Sequence, residues 1–398
     1  MSAQSFAKRP CPVCNSDESQ LLHSHRFAAI SDALPLDHYD LVICSECGCA
    51  YADDIPPQAR FDRYYRELSK YEYQHRGGLA SSFDADRFRA DVDLMTPSIP
   101  APSSRILEIG CATGGLLAEL RGRGFPNVVG MDPSAGCVQS ARELYGLDVF
   151  EGTLSDIAEH RQQYDFVILI GVIEHLRDPG PALADVRQLL SPGGRLFAGV
   201  PDASRLNEVR NAPFQLFSVE HINYFSPRSL QNLLATQHFE LLRVSQVIVN
   251  TSATTTDPLL SEIFELTDGP LPIVRDEQTE PALRQYIDKA RAIELHTHEV
   301  IANLAESHRP IIVWGTGAHT LRLLASSRLG EADVRFYVDS NPHYHGKDLN
   351  GVPVRAPSDI AGHPEPILIS SWVYQDEIDR QLRDELKLPN ERIVLYDF

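Results

Sequence analysis

Arg105-Ile-Leu-Glu-Ile-Gly-Cys-Ala-Thr-Gly-Gly115 is the stretch on which the fold turns. Ile106, Leu107 and Ile109 around the single acid Glu108 predict a buried parallel strand that ends in an acid-bearing turn. Gly110, Gly114 and Gly115 follow, and Leu116-Leu-Ala-Glu-Leu120 opens a helical pattern. Glycines at such a turn let the backbone approach a ligand where a side chain would collide. A second apolar run, Val128-Val-Gly-Met131, ends in Asp132, where a carboxylate can accept both hydroxyls of a ribose. Taken bare, such a turn could serve NAD, FAD or S-adenosylmethionine. Two features favour the last. Glu108 stands two positions before the first glycine, within reach of the amino group of a methionine moiety, and a donor without a pyrophosphate does not need the full G-x-G-x-x-G.

The chain has 398 residues, enough for two or three domains with proper cores. Its formal charge of −19, from 36 basic and 55 acidic residues, argues against nucleic acid or anionic membrane as main partner. No apolar run is long enough to cross a bilayer, and Met1-Ser-Ala-Gln-Ser-Phe-Ala-Lys-Arg9 contains no h-region of a secretory signal. Seven cysteines, four of them in C-x-x-C spacing, fit metal binding in a reducing cytosol better than disulfides. A cytoplasmic location is therefore expected.

Cys11-Pro-Val-Cys14 and Cys44-Ser-Glu-Cys47 form two knuckles that can turn four thiolates toward one point. Such a set closes a tetrahedral zinc site, so the metal is expected to be structural, with no activated water. Cys49, His23 and His25 are alternative donors, better read as a packed cysteine and surface histidines. The segment to about Tyr51 has too few apolar residues to hold itself together without metal. Next, Phe61-Asp-Arg-Tyr-Tyr-Arg-Glu-Leu-Ser-Lys-Tyr-Glu-Tyr73 predicts an amphipathic helix that packs Phe61, Tyr64, Tyr65 and Leu68 on a core. Tyr71 and Tyr73, near its end, could enter a cleft as hydroxyl donors.

After Asp132, Pro133 opens a helix to Tyr145. Val149-Phe150 reads as a short strand, and Tyr164–Ile170 as a buried one running into Gly171-Val-Ile-Glu-His-Leu-Arg-Asp-Pro179. Pro192-Gly-Gly194 marks a turn before strand 195–200. This alternation predicts an α/β fold: a doubly wound Rossmann-like core with ligands at the carboxyl ends of its strands. Two acid–imidazole pairs stand at expected strand ends, Glu174-His175 and Glu220-His221. An acid beside an imidazole supplies a base near neutral pH. Either histidine could instead serve only a structural bond. Ser226 is expected to cap the helix that begins at Arg228.

Leu107-Glu-Ile-Gly-Cys-Ala-Thr-Gly114 with Gly130-Met-Asp-Pro-Ser134 resembles motifs I and II of the class I S-adenosylmethionine-dependent methyltransferases, with Ala112 in place of the middle glycine. That resemblance implies donor contacts from Glu108, Gly110, Ala112, Gly114, Asp132, Pro133, Thr153, Leu154 and Gly171, with Glu151–Ser155 around the adenine. Over nearly the whole chain, four N-terminal cysteines, an aromatic S-x-Y-x-Y segment and Glu220-His-Ile-Asn-Tyr-Phe-Ser226 look like the deoxysugar C-methyltransferase family. Its members methylate carbon 3 of nucleotide-linked 4-keto-deoxysugars. The likeness implies His175, Glu220 and His221 as catalytic residues, with Tyr71 or Tyr73 as aromatic partner and His221 as base.

A long polar helix is expected over roughly 281–307, followed by Pro310-Ile-Ile-Val-Trp-Gly-Thr-Gly-Ala-His319 and strand Val334–Val338 ending at Asp339. This second β-turn-α unit imitates a dinucleotide fingerprint, but Thr320 stands where a third glycine is expected, so the signal for a nicotinamide is weak. The resembled family has G-Y-G-A-x-x-K-G at this turn. Its lysine is absent here, and His319 could replace it as a donor or only pack.

The resulting plan is a zinc-binding module (1–60), a helical connector (61–100), the methyltransferase core (101–248), a helical linker (249–308) and a C-terminal Rossmann-like domain (309–398). The acceptor is expected to be a small molecule, a nucleotide-linked sugar, handled by a monomer or small homo-oligomer. The rivals are an O-methyltransferase on a hydroxylated metabolite, a nucleotide-sugar-binding scaffold with a vestigial core, and a dehydrogenase that uses the Gly315 turn.

Overall fold

The structure is a computed structural model that describes residues 6, 8–27, 36–67, 80–154, 156–157, 163–252 and 255–396. Near the N-terminus, β1 (Ser19–Arg26), β2 (His38–Cys44) and β3 (Ala50–Asp53) form an antiparallel meander beside the cysteine knuckles. Helices α1 (Gln58–Glu67) and α2 (Ser82–Met95) follow. The start of α2 is closed by a Ser81/Asp84 capping box, which satisfies donors that the first turn leaves open.

The predicted strand is β4 (Ile106–Ile109), fully buried, and α3 (Gly115–Gly122) begins at the glycine turn. The chain continues through β5 (Val128–Asp132), α4 (Ala135–Tyr145), β6 (Asp148–Glu151), β7 (Tyr164–Ile170), α5 (Pro179–Leu189) and β8 (Leu190–Pro201). Then come β9 (Asn223–Tyr224), α6 (Pro227–Thr236), β10 (Phe239–Asn250) and β11 (Thr256–Leu266). Strand order in the central sheet is β10-β11-β8-β7-β4-β5-β6. Pairings from β6 through β8 are parallel, and β11 and β10 add an antiparallel edge. Reversal of strand order at β4 opens the crevice at the strands' carboxyl ends, where doubly wound sheets bind ligands. Leu107, Val167 and Leu169 pack on one face, and Ile106, Phe166, Ile168 and Phe197 on the other. That double burial is why these strands read as unbroken apolar runs.

Two expected boundaries shift. Residues 256–266 were expected in a linker, yet β11 pairs with β8, so the core sheet extends to Leu266. Apolar Leu260, Ile263 and Phe264 are buried in the pairing, which outweighs the local turn chemistry of the Thr- and Pro-rich approach. The N-terminal module is also not self-contained, because β9 of the core pairs antiparallel with β3 and becomes its fourth strand.

Helix α7 (Thr279–Ser307) leads to the C-terminal domain. It comprises β12 (Ile311–Trp314), α8 (Ala318–Ser326), β13 (Val334–Val338), β14 (Asp348–Leu349), β15 (Val352–Arg355), β16 (Ile367–Ile369), α9 (Gln375–Arg380) and β17 (Arg392–Val394). The strand order is β14-β15-β13-β12-β16-β17, parallel except for the β14–β15 pair. No helix among the described residues is long and apolar enough to cross a membrane.

Candidate active site and metal centre

A cavity of about 360 Å³ opens at the carboxyl ends of β4, β5 and β7. Glu108, Gly110 and Ala112 line it from the glycine turn, Asp132 and Pro133 from the end of β5, Thr153 and Leu154 from beyond β6, and Gly171 from the end of β7. The remaining expected donor contact, Gly114, is not among the lining residues. It caps α3 at φ +81°, and a Cβ there would lie 2.5 Å from Leu147, so its glycine serves turn geometry and packing.

Gly110 has φ +77°, and an added Cβ would come within 2.7 Å of Val172. Ala112 also takes a left-handed conformation, φ +46°, with its N–H donating to Asp132 Oδ2 at 2.8 Å. Asp132 Oδ1 accepts the Ser134 N–H at 2.9 Å. These bonds fix the carboxylate at the cavity wall.

Glu108 is buried, and its Oε2 has no hydrogen-bond partner among the described residues. Burial first, then repulsion from Asp132 and Asp91, pushes its carboxyl up to about 8. Asp91 is itself raised to about 6 by burial. Arg87 of α2 is the one guanidinium or ammonium group lining the cavity among the described residues. Eight acids and one guanidinium among the described lining residues fit a ligand that carries positive charges and a carboxylate, which is the chemistry of S-adenosylmethionine. Arg87 was not singled out in the sequence, because nothing local distinguishes it from any arginine on a helix.

At the other side of the cavity, His175 and Glu220 line the wall together with Asp62 and Tyr65 of α1. The two acid–imidazole pairs thus meet, brought together from the ends of β7 and the loop after β8. The His175 and His221 rings lie 5.0 Å apart at 60°. His221 does not line this cavity; it borders a small void with Leu206, Leu216 and Tyr224. His175 Nδ1 is 2.9 Å from the Glu220 carbonyl oxygen and 2.9 Å from the Tyr65 hydroxyl. A carbonyl can only accept, so in the neutral ring Nδ1 carries the proton and Nε2 keeps the lone pair. The Tyr64 hydroxyl donates to Glu220 Oε1 at 2.8 Å.

Tyr64 and Tyr65 were expected to fill a core. Phe61 is fully buried and Tyr65 packs against the same core, as expected, but both tyrosines also turn their hydroxyls to the acid–imidazole cluster; Leu68 lies outside the described residues. An aromatic stripe at helical spacing does not reveal which ring has a polar partner across a domain boundary. Tyr71 and Tyr73 lie outside the described residues.

Ligand atoms of Glu174, His175 and His221 fall within 4.8 Å of one another. Glu174 Oε1 lies 3.8 Å from His175 Nε2, and the trio offers only three donors of mixed chemistry where a closed tetrahedral site needs four. Cys11, Cys14, Cys44 and Cys47 make a better donor set. Their Sγ atoms cluster within 4.8 Å, with Cys11–Cys47 at 3.5 Å and Cys14–Cys44 at 3.4 Å. Zinc bonds of about 2.3 Å place sulfurs about 3.8 Å apart, and four soft thiolates match that ion. Cys49 is fully buried beside them, whereas His23 stacks on Phe214, His25 packs tilted against it, and both lie near Phe217. Neither histidine is a free surface group, since His25 is only 3 % exposed.

In the C-terminal domain, Asp339 Oδ2 accepts both the N–H and the hydroxyl of Thr316, at 3.0 and 2.6 Å. Thr320 bonds Ser370 and the Gly315 carbonyl. His319 is buried with Nε2 2.7 Å from the Tyr396 hydroxyl, and burial pulls its pKa down to about 3. It packs as a neutral ring rather than replacing a phosphate-binding lysine.

Comparison with known proteins agrees with this geometry. Residues 81–244 match a methyltransferase domain family, and residues 274–394 match the C-methyltransferase C-terminal domain family. The chain is 25% identical over 397 residues to the C-methyltransferase NovU of Streptomyces niveus, covering 92% of this chain and 90% of that one. It is 33% identical over 165 residues to the ubiquinone biosynthesis O-methyltransferase of Roseobacter denitrificans, covering 39% of this chain and 64% of that protein. Among solved structures, magnesium protoporphyrin IX methyltransferase from Synechocystis aligns with TM-score 0.38 and 16% identity over 52% of this chain and 96% of that one. From the two family matches, the near full-length relative and the glycine-turn cavity, the chain is a class I S-adenosylmethionine-dependent methyltransferase that resembles the C-methyltransferases.

Proposed function

We propose that this enzyme methylates the carbon beside a ketone in a small acceptor, most specifically carbon 3 of a nucleotide-linked 4-keto-deoxysugar. The observation that carries this reading is the meeting of Glu174-His175 with Glu220-His221 beside the donor cavity. A carbon acceptor needs a base strong enough to take a proton next to a carbonyl and a donor to steady the oxygen that gains charge. In this reading His221, which stands behind His175, takes the proton once its loop brings the ring to the acceptor, Glu220 orients it, and the Tyr65 hydroxyl at the cavity wall donates to the developing enolate oxygen. Tyr64 holds Glu220 in place through its 2.8 Å bond. The donor supplies an activated methyl group on a sulfonium. Glu108 and Arg87 are assigned to its amino and carboxyl groups, and Asp132 to its ribose. Two Cys-x-x-Cys knuckles would hold a structural zinc ion through Cys11, Cys14, Cys44 and Cys47. Similarity along almost the full length of NovU supports the carbon acceptor.

The test is methyl transfer to a panel of nucleotide-linked 4-keto-deoxysugars, read by intact product mass and then NMR. A one-methyl gain on carbon is expected, falling about 10²–10⁴-fold in His221→Ala, the usual contribution of a general base, with donor binding retained. Donor binding without product across the panel refutes the sugar ketone. Methyl on oxygen would favour the second reading, supported by the O-methyltransferases that match a part of the chain.

A further inference from the structure

Arg9 precedes the first knuckle by two positions, and its guanidinium is buried in the seam between the N-terminal module and the core, 3 % exposed. Its Nε donates to the Ala52 carbonyl at 2.8 Å, Nη1 to the Arg177 carbonyl at 2.6 Å, and Nη2 to both the Ile222 carbonyl at 2.7 Å and Asn223 Oδ1 at 2.8 Å. Among the described residues no carboxylate lies within ion-pair distance of it. All four acceptors are neutral, and they come from three separate stretches of chain. A buried cation held by neutral oxygens is poor value as an ion pair, but a rigid planar fork is well suited to fixing several carbonyls at once.

The stretches it joins matter. Ile222 follows His221, and Arg177 lies two residues after His175. Asn223 completes the link from the opposite side: its Nδ2 donates to the carbonyls of Leu176 at 2.7 Å and Ile173 at 3.2 Å. The Ile222 N–H bonds the Glu174 carbonyl at 3.0 Å, so the two histidine-bearing turns are stitched backbone to backbone on either side of the imidazoles. Ala52, the third anchor, belongs to β3, which pairs with β9 at Asn223–Tyr224.

We propose that Arg9, acting with Asn223, is a positioning residue that clamps the His175 turn to the His221 loop and references both to the N-terminal module. This inference rests on the reading of these histidines as the acid–base groups. Neither Arg9 nor Asn223 lines the donor cavity; the nearest link is the Leu176 carbonyl that Asn223 holds. The clamp acts through the backbone of the histidines' neighbours and fixes the 5.0 Å ring separation. A displacement near 1 Å is enough to lose about 10²-fold in rate.

The test uses the full chain with Arg9→Met, which keeps bulk and removes every donor, and Asn223→Ala, which removes the link without stripping the buried guanidinium of all its acceptors. Protein labelled with ¹⁵N-histidine, with His175 and His221 signals assigned from single alanine variants, reports the two rings without any acceptor. In both variants, the imidazole shifts and titration curves of these two histidines are expected to move, while zinc content and donor Kd stay within about threefold. The value of kcat should fall about 10–100-fold at unchanged donor affinity. Imidazole spectra and kcat per zinc-loaded molecule matching the parent would overturn the clamp. Should Arg9→Met fail to fold, Asn223→Ala decides by the same readouts. If the parent methylates no ketone, the acceptor reading fails, and the imidazole spectra still decide the clamp.

Discussion

Donor binding should release a proton, and the release should belong to Glu108. In the unliganded protein burial, Asp132 and Asp91 hold this carboxyl near 8, whereas Arg87 pulls it the other way. Cys111 also borders it, with its thiol raised by burial and then by Glu108 and Asp132, and so contributes no charge near neutrality. A cationic amino group at Oε2 requires the ionised carboxylate, so each pH unit below 8 costs about 1.4 kcal/mol, or tenfold in affinity. Between pH 6 and 7.5 the apparent Kd should therefore fall about 25-fold, with about one proton released per donor bound at pH 6 and roughly three quarters of one at pH 7.5. The window stops there because the donor's own amino group titrates near 8.

The stability sign follows from the same shift. Glu108 in the folded state lies above its ordinary 4.5, so stability present below that value is lost as pH rises through about 8. At pH 7 the loss is on the order of 3 kcal/mol, restored when the donor binds. Calorimetry in buffers of different ionisation enthalpy measures the released proton directly. Glu108→Gln should bind the donor more weakly at pH 7.5 and with a nearly flat profile. A wild-type Kd independent of pH over this range, or an unchanged slope in Glu108→Gln, would refute the reasoning.

Two further outcomes are expected. Gly110→Ala forces a Cβ to within 2.7 Å of Val172 at φ +77°. Left-handed geometry alone costs about 1–2 kcal/mol, so donor affinity measured by calorimetry should drop at least about tenfold. Cys44→Ser should lower the zinc content below one per chain by metal analysis. It should also lower the thermal midpoint, because β2 and β3 flank the knuckle; an unchanged metal content would remove these thiols as ligands.

Local chemistry was legible wherever one segment supplies its own reason. The glycine turn after β4, Ser226 as the cap of α6 and the two cysteine knuckles each follow from spacing and backbone requirements within a dozen residues. The lining of the cavity was legible for a similar reason: nearly all the residues expected around a donor sit there, on turns that directly follow strands of one sheet.

What the tertiary structure decided involves partners far apart in the chain. Tyr64 reaches Glu220 across 156 residues, and Tyr65 reaches His175 across 110, so neither tyrosine carries a local mark of its polar partner. The placement of β11 beside β8 depends on an apolar edge that the rest of the sheet leaves open, not on the turn-rich residues before it. His221 stands behind His175 rather than in the cavity wall, a matter of how two loops pack. Arg9 is the plainest case. In sequence it is one basic residue beside a cysteine knuckle; in space it joins carbonyls from residues 52, 177 and 222. Periodicity and turn chemistry determine which elements form, because those forces act over a few residues. Only packing of distant segments determines which side chains share a buried seam, because there each polar group must find its partner or lose its hydration without return.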